Sequence, residues 1–322
     1  MSHIRQILLS CLFVLSVIFY AAAQETLSVT VAQDGSGDYK TIQEAIGACR
    51  AFQTIDKIIH IKNGIYREKV LIDSFLTHIR LVGESVENTV LTFGDYAGKE
   101  NMGTFRSYSL KILGDDIAVE NMTIENSAGE VGQAVALHVE GDRCIFRNCR
   151  ILGNQDTLYA AGQKSRQYFS DCCISGTTDF IFGASTAIFD HCTLHSIRNS
   201  YITAASTPKG NKFGYVFLNC QLTAEPGVDK VYLGRPWRDY ARVVFIDCEM
   251  GRHILQQGWH NWDHPEREKT VYYGEFNSKG PTTSPANRVG WSHQLSRKES
   301  GKYRIQTIFR QESNSWKPVE AL

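Results

Sequence analysis

Two aspartates of the chain stand at one fixed distance behind a cysteine. Asp156, in "GNQDTLY" (153–159), follows Cys149 by seven positions, and Asp179, in "TDFIF" (178–182), follows Cys172 by seven. Each runs at once into apolar and aromatic residues, Leu158 and Tyr159 in one case and Phe180 to Phe182 in the other. A hydrated carboxylate is a poor nucleophile, and most aspartates are solvated loop residues. Two carboxylates held close beside an apolar wall behave differently. They cannot both ionise freely, so one keeps its proton as an acid while the other stays charged. An acid next to an ionised nucleophile is what acyl or glycosyl transfer uses. Gln133, in "GQAVAL" (132–137), and Gln155 are neutral N–H donors suited to an oxygen that gains negative charge. Arg235, in "YLGRPW" (232–237), has the reach to hold one aspartate ionised. Taken singly, these are ordinary structural glutamines and an ordinary surface arginine.

The elements that would bring them together are written in a repeat. "IFRNCRI" (145–151), "YFSDCCI" (168–174), "IFDHCTL" (188–194), "VFLNCQL" (216–222) and "VFIDCEM" (244–250) align, and "AVENMTI" (118–124) joins them with Met122 in the cysteine's place. Side chains alternate along a strand, so a Phe and a Cys three positions on both point inward only if the chain bends between them. Asn148, Asp171, His191, Asn219 and Asp247 stand at that bend, and these types tolerate left-handed turns. Short strands joined by such bends, recurring once per coil, predict an all-β right-handed parallel β-helix. Its rungs stack at about 4.8 Å, which would put Asp156 and Asp179 on neighbouring rungs at one phase. The cysteines become an interior ladder, and that geometry favours free, buried thiols over bridges. No compact Cys/His spacing of the zinc type occurs.

Thr41 and Glu44 in "TIQEAIGACRAF" (41–52) form a capping box, with Ile42, Ala45, Ile46 and Cys49 on one face. This predicts a short N-terminal helix covering the open end of the β-helix. Beyond about residue 265 the repeat is lost, and "YRIQTIFR" (303–310) reads as a last helical turn or two in an irregular tail. Residues 1–23 read as a secretory signal, with Arg5 ahead of a short apolar run and Ala21 to Ala23 at its end. The run is too short for a bilayer span. Residues 24–322 are then one domain, secreted to the periplasm or the cell exterior. With 322 residues, 43% hydrophobic, and no net charge or basic block, the chain is globular, and neither nucleic acid nor an anionic membrane surface is an expected partner.

"GIYREK" (64–69), "GQAVAL", "GNQDTLY", "DFIFG" (179–183) and "YLGRPW" resemble, in order, the five signature segments of the pectin methylesterases, or pectinesterases. "DGSGDYKTI" (34–42) and "GWHNW" (258–262) are similar to that family's opening and late segments. The resemblance covers essentially the whole expected mature chain. It implies an ester hydrolase acting on the C6 methyl esters of homogalacturonan, without cofactor or metal, as a monomer. It implies Asp179 as nucleophile, Asp156 as acid and then base, Gln133 and Gln155 as oxyanion donors, and Arg235 as the partner that orients Asp179. Tyr159, Phe182, Trp237 and Trp259 become the aromatic lining of the sugar cleft. Glu68 belongs to the family motif, with a structural role near the cap as plausible as a catalytic one. Many plant members carry an inhibitory region ahead of the catalytic unit, whereas here that unit is expected directly after the signal. From the residues alone, a glycoside hydrolase, a lyase on the same polysaccharide and a noncatalytic sugar-binding β-helix stay open.

Overall fold

The structure is a computed structural model that describes residues 26–310 and 315–319. The expected signal at 1–23, and Cys11 within it, lie outside these residues. Each coil contributes one short strand to each of three sheets: Cys144–Arg147, Arg150–Leu152 and Leu158–Ala160 in one coil, then Arg166–Ser170, Cys173–Gly176 and Ile181–Gly183 in the next. Successive coils pair in parallel, Phe146 against Phe169, Ile151 against Ile174 and Leu158 against Ile181. The sheets contain eleven, eight and seven strands, and the chain winds as the right-handed parallel β-helix expected from the repeat.

The predicted bends are present. Asn121, Asn148, Asp171, His191, Asn219 and Asp247 all have φ between 48° and 54°. A left-handed residue costs roughly 1–2 kcal/mol for most side chains, and Asn and Asp reduce this by local hydrogen bonding. Asn148 Nδ2 donates to Asn121 Oδ1 at 2.7 Å, so the turns also support one another from coil to coil. Just inside them, Met122, Cys149, Cys172, Cys192, Cys220 and Cys248 are buried and unbridged. Their thiols turn to main-chain carbonyls, as Cys149 Sγ does to Val119 O at 3.3 Å. Phe146, Phe169, Phe189, Phe217 and Phe245 stack beside them at centroid spacings of 4.4 to 4.8 Å, close to the strand separation itself.

The repeat runs further than the cysteines indicate. Tyr272–Phe276 adds another rung on Arg242–Ile246 beyond residue 265. Its turn is Asn277, at φ 52°, followed by Ser278 where the earlier coils have cysteine. That substitution hides the coil from a cysteine pattern. At the N-terminal end, Ile42–Gly47 forms the capping helix with the Thr41–Glu44 box intact. Glu68 belongs to this cap, because its carboxylate accepts from the free N–H groups of Ile42 and Gln43 at 2.9 and 3.0 Å. The tail carries two short helices, Arg297–Ser300 and Ile305–Ile308. Ile308, Phe309 and Trp316 pack with Ile145, Ile188, Val216 and Val244 on the outside of the eleven-stranded sheet. Among the described residues no helix is long and apolar enough to cross a membrane.

Candidate active site

The site lies on the outer face of the seven-stranded sheet. There the register sets His138, Tyr159, Phe182, Ala204 and Arg235 in one row, rung upon rung. Asp156 stands two residues before Leu158 and Asp179 two before Ile181, and Leu158 pairs with Ile181, so the carboxylates share one phase on adjacent coils. Both take positive φ, 65° and 51°. Their main chains are fixed by hydrogen bonds to the following coil, Asp156 N–H to Thr178 O at 3.0 Å and Asp179 N–H to Tyr201 O at 2.8 Å. One coil back, Gln133 pairs with Gln155. These four polar residues and Arg235 line one cleft of about 180 Å³, with Thr104, Phe105, Phe182, Ala204, Trp237 and Trp262 completing its walls.

Arg235 reaches Asp179 across one rung. Ala204 occupies the row position between Arg235 and Phe182, and its small side chain leaves the guanidinium room to pass. Gly234 lets the strand lie close, since a Cβ there would collide with the Thr203 hydroxyl. The fork is bidentate, Nε to Oδ1 at 3.0 Å and Nη2 to Oδ2 at 2.7 Å. Tyr201 and Trp262 flank the guanidinium at 4.0 and 3.6 Å, so it is held and shielded on both faces.

Asp156 and Asp179 are about 95% buried. Burial, followed by the charge of Asp179, pushes Asp156 up to about 8, against a hydrogen bond from Gln133 and the field of Arg235. Burial raises Asp179 too, but there the Arg235 hydrogen bonds and charge directly oppose it. Both carboxyls lie above the ordinary value, but only Asp179 has a guanidinium in contact to oppose the rise, so Asp179 is the more readily ionised and Asp156 the one that keeps its proton near neutral pH.

Phe182 and Trp237 line the cleft, and Tyr159 stands beside Phe182 on the neighbouring rung. Tyr159 stacks on Phe182 at 4.6 Å, and Trp237 lies 5.9 Å from Phe182. Trp259 does not line the cleft. It is 1% exposed and packs inside the coil against Phe245 and Tyr273. The reason is parity: Trp259 pairs with Gly234, and Gly234 pairs with Thr203 in the inward row, so position 259 inherits the inward direction. The second tryptophan of "GWHNW", Trp262, turns outward instead, at φ 60°. Sequence reasoning also missed Thr104 and Phe105, which come from an irregular loop outside the repeat. Phe105 stacks on Tyr159 at 4.8 Å. Among the described residues no group of three or more His, Cys, Asp or Glu side chains is placed to hold a metal ion.

Comparison with known proteins shows the family. A family model for pectinesterases matches residues 28–312. The chain is 42% identical over 289 residues to pectinesterase 31 of Arabidopsis thaliana, covering 86% of this chain and 90% of that protein. It is 37% identical to the probable pectinesterase/pectinesterase inhibitor 21 of the same plant, covering 82% of this chain and spanning 41% of that longer protein. The solved pectin methylesterase from carrot superposes with a TM-score of 0.83 at 32% identity, over 87% of this chain and 92% of that one. A pectin methylesterase solved in complex with a hexasaccharide superposes at 0.78 and 29% identity, over 91% and 99%. By sequence and by fold, the chain belongs to the pectinesterase family.

Proposed function

We propose that the chain hydrolyses the C6 methyl esters of homogalacturonan to pectate and methanol, with Asp179 as nucleophile and Asp156 as acid and base. The observation that carries this is the pairing of an Arg235-bound carboxylate with a buried, protonated one in a single aromatic-walled cleft that also holds two amides. The Asp179 carboxylate attacks the ester carbonyl, and the N–H groups of Gln133 and Gln155 hold the oxygen that becomes negative. As the intermediate collapses, Asp156 gives its proton to the departing methoxide and methanol leaves. What remains is an acyl-enzyme, in which the galacturonate carbonyl is joined to Asp179 as an anhydride. Asp156, now ionised, takes a proton from water, and the resulting hydroxide attacks the acyl carbon. Asp179 leaves as a carboxylate and Asp156 is protonated again. The two glutamines favour this over glycosidic cleavage, because an oxocarbenium-like centre is positive and gains nothing from N–H donors.

Phe182, Trp237, Trp262 and Phe105, with Tyr159 stacked against Phe105 and Phe182, supply the apolar wall against which a sugar ring packs and which excludes water from the carboxylates. The same reading has the chain exported by the signal at 1–23 and working as a monomer on an extended polysaccharide. The test is incubation with methyl-esterified pectin, measuring methanol, new reducing ends and unsaturated products. Methanol alone is expected. Reducing ends or unsaturation without methanol would replace the esterase with a hydrolase or a lyase, and no product would leave a binding module.

A further inference from the structure

We propose that Thr104 is a positioning residue that fixes the amide of Gln133, so that this amide's N–H group always faces the reacting atoms. The inference rests on the role given above to Gln133. A glutamine amide has a donor end and an acceptor end of nearly equal size, and only one orientation serves an oxyanion. Nothing in Gln133 itself selects between them. The selection comes from the loop between Phe93 and Leu110, which overhangs the cleft. Thr104 Oγ1 donates to Gln133 Oε1 at 2.7 Å, engaging the acceptor end. Nε2 is then directed away from Thr104, on the side of Asp156, whose carboxyl the amide holds down. Its two N–H groups are then available to Asp156 and to the substrate oxygen.

The loop is built to hold that hydroxyl in place. Asn126, buried, spends its amide on the carbonyls of Asp95, Ser107 and Val135 at 2.9 to 3.0 Å. Ser107 Oγ donates to Thr104 O at 2.6 Å and accepts from Val135 N–H at 3.0 Å. Ala97 N–H donates to the main-chain carbonyl of Gln133 at 2.8 Å. Lys69 and Lys99 converge on Asp95 at 2.7 and 2.8 Å. The loop is thus fastened to the segment that carries Gln133, on both sides of the Thr104 contact. Inside it, Glu100 and Asn101 sit at positive φ, 51° and 60°, a conformation a chain keeps only where its surroundings hold it.

The test compares Thr104→Val, which keeps the shape and removes the hydroxyl, with Thr104→Ser, which keeps the hydroxyl. Thr104→Val should lower kcat about tenfold or more with KM within about twofold, since an amide free to flip loses an interaction made in the transition state. Thr104→Ser should retain most of the activity. A flipped amide also sets Oε1 against Asp156, which disfavours its ionised form, so the alkaline limb of the pH–rate profile should move to higher pH in Thr104→Val alone. Introducing Thr104→Val into Gln133→Ala should cost little more than Gln133→Ala by itself. Unchanged kcat and pH profile in Thr104→Val, or an equal loss in Thr104→Ser, would overturn the inference. If Gln133→Ala is itself as active as the unmodified chain, the role of Gln133 fails first and this inference with it. If Gln133→Ala is impaired and Thr104→Val is not, only the inference fails.

Discussion

Replacing Arg235 with alanine separates the two aspartates' roles. In the intact site the guanidinium makes two charge-assisted hydrogen bonds to Asp179, at 3.0 and 2.7 Å, from a slot between Tyr201 and Trp262. An opposite charge in such contact lowers a carboxyl's pKa by about one to three pH units, or about 1.4 to 4 kcal/mol in favour of the ionised form. Without it, burial beside Asp156 acts unopposed and Asp179 takes up a proton near neutral pH. Depletion of the nucleophile alone then lowers kcat/KM by about 10- to 1000-fold at pH values below the original acid limb and by less near neutral pH, and lost orientation lowers it at every pH. The rate rises with pH as Asp179 ionises and falls as Asp156 loses its proton. Arg235 holds both down, but Asp179 more directly, so its removal should move the acid limb further than the alkaline limb and narrow the active window. Methanol release from methyl-esterified pectin, followed across pH, reads both limbs. Arg235→Lys, which keeps the charge and loses the fork, should fall between. An alanine variant within tenfold of the unmodified chain, with its acid limb unmoved, would refute the reasoning.

Three further variants test the same geometry. The folded chain keeps Asp156 protonated up to about 8, whereas an unfolded chain ionises it near the ordinary value of 3.8, so the site draws the equilibrium toward unfolding as pH rises between those values. Asp156→Asn, neutral in both states, should therefore be inactive yet more stable at pH 7 by about 2–4 kcal/mol, an advantage that fades below about pH 4. Thermal unfolding at the two pH values checks this, and equal stability at pH 7 would count against a protonated Asp156. Trp259→Ala should lose about 3–5 kcal/mol of stability as a core truncation. Trp262→Ala should fold normally and instead weaken substrate binding and the hold on Arg235, seen as a raised KM and a reduced kcat.

What could be read from the sequence followed the repeat. The bend at Asn148, Asp171, His191, Asn219 and Asp247 and the inward cysteines fix a register, and register places Asp156 beside Asp179 without any further information. Gln155 is legible as the neighbour of Asp156, whereas Arg235, fifteen positions after Cys220, lies off the aspartates' spacing and is legible through the resemblance of "YLGRPW" to a family segment. Trp259 was misplaced because its direction depends on pairing with Gly234, a contact set by a turn that no side-chain pattern marks. The last coil escaped because Ser278 stands in for cysteine. Thr104 and Phe105 belong to a loop with no counterpart in other coils, so only the folded chain shows them over the cleft.

The claim on which the account depends is that Asp179 forms the covalent bond. Quenching the enzyme in acid during turnover of methyl-esterified oligogalacturonide, and mapping its peptides by mass, tests this directly. The account predicts a galacturonoyl adduct on the peptide carrying Asp179, absent from Asp179→Ala and from samples without substrate. An adduct on another residue, or methanol release that persists in Asp179→Ala, would contradict it.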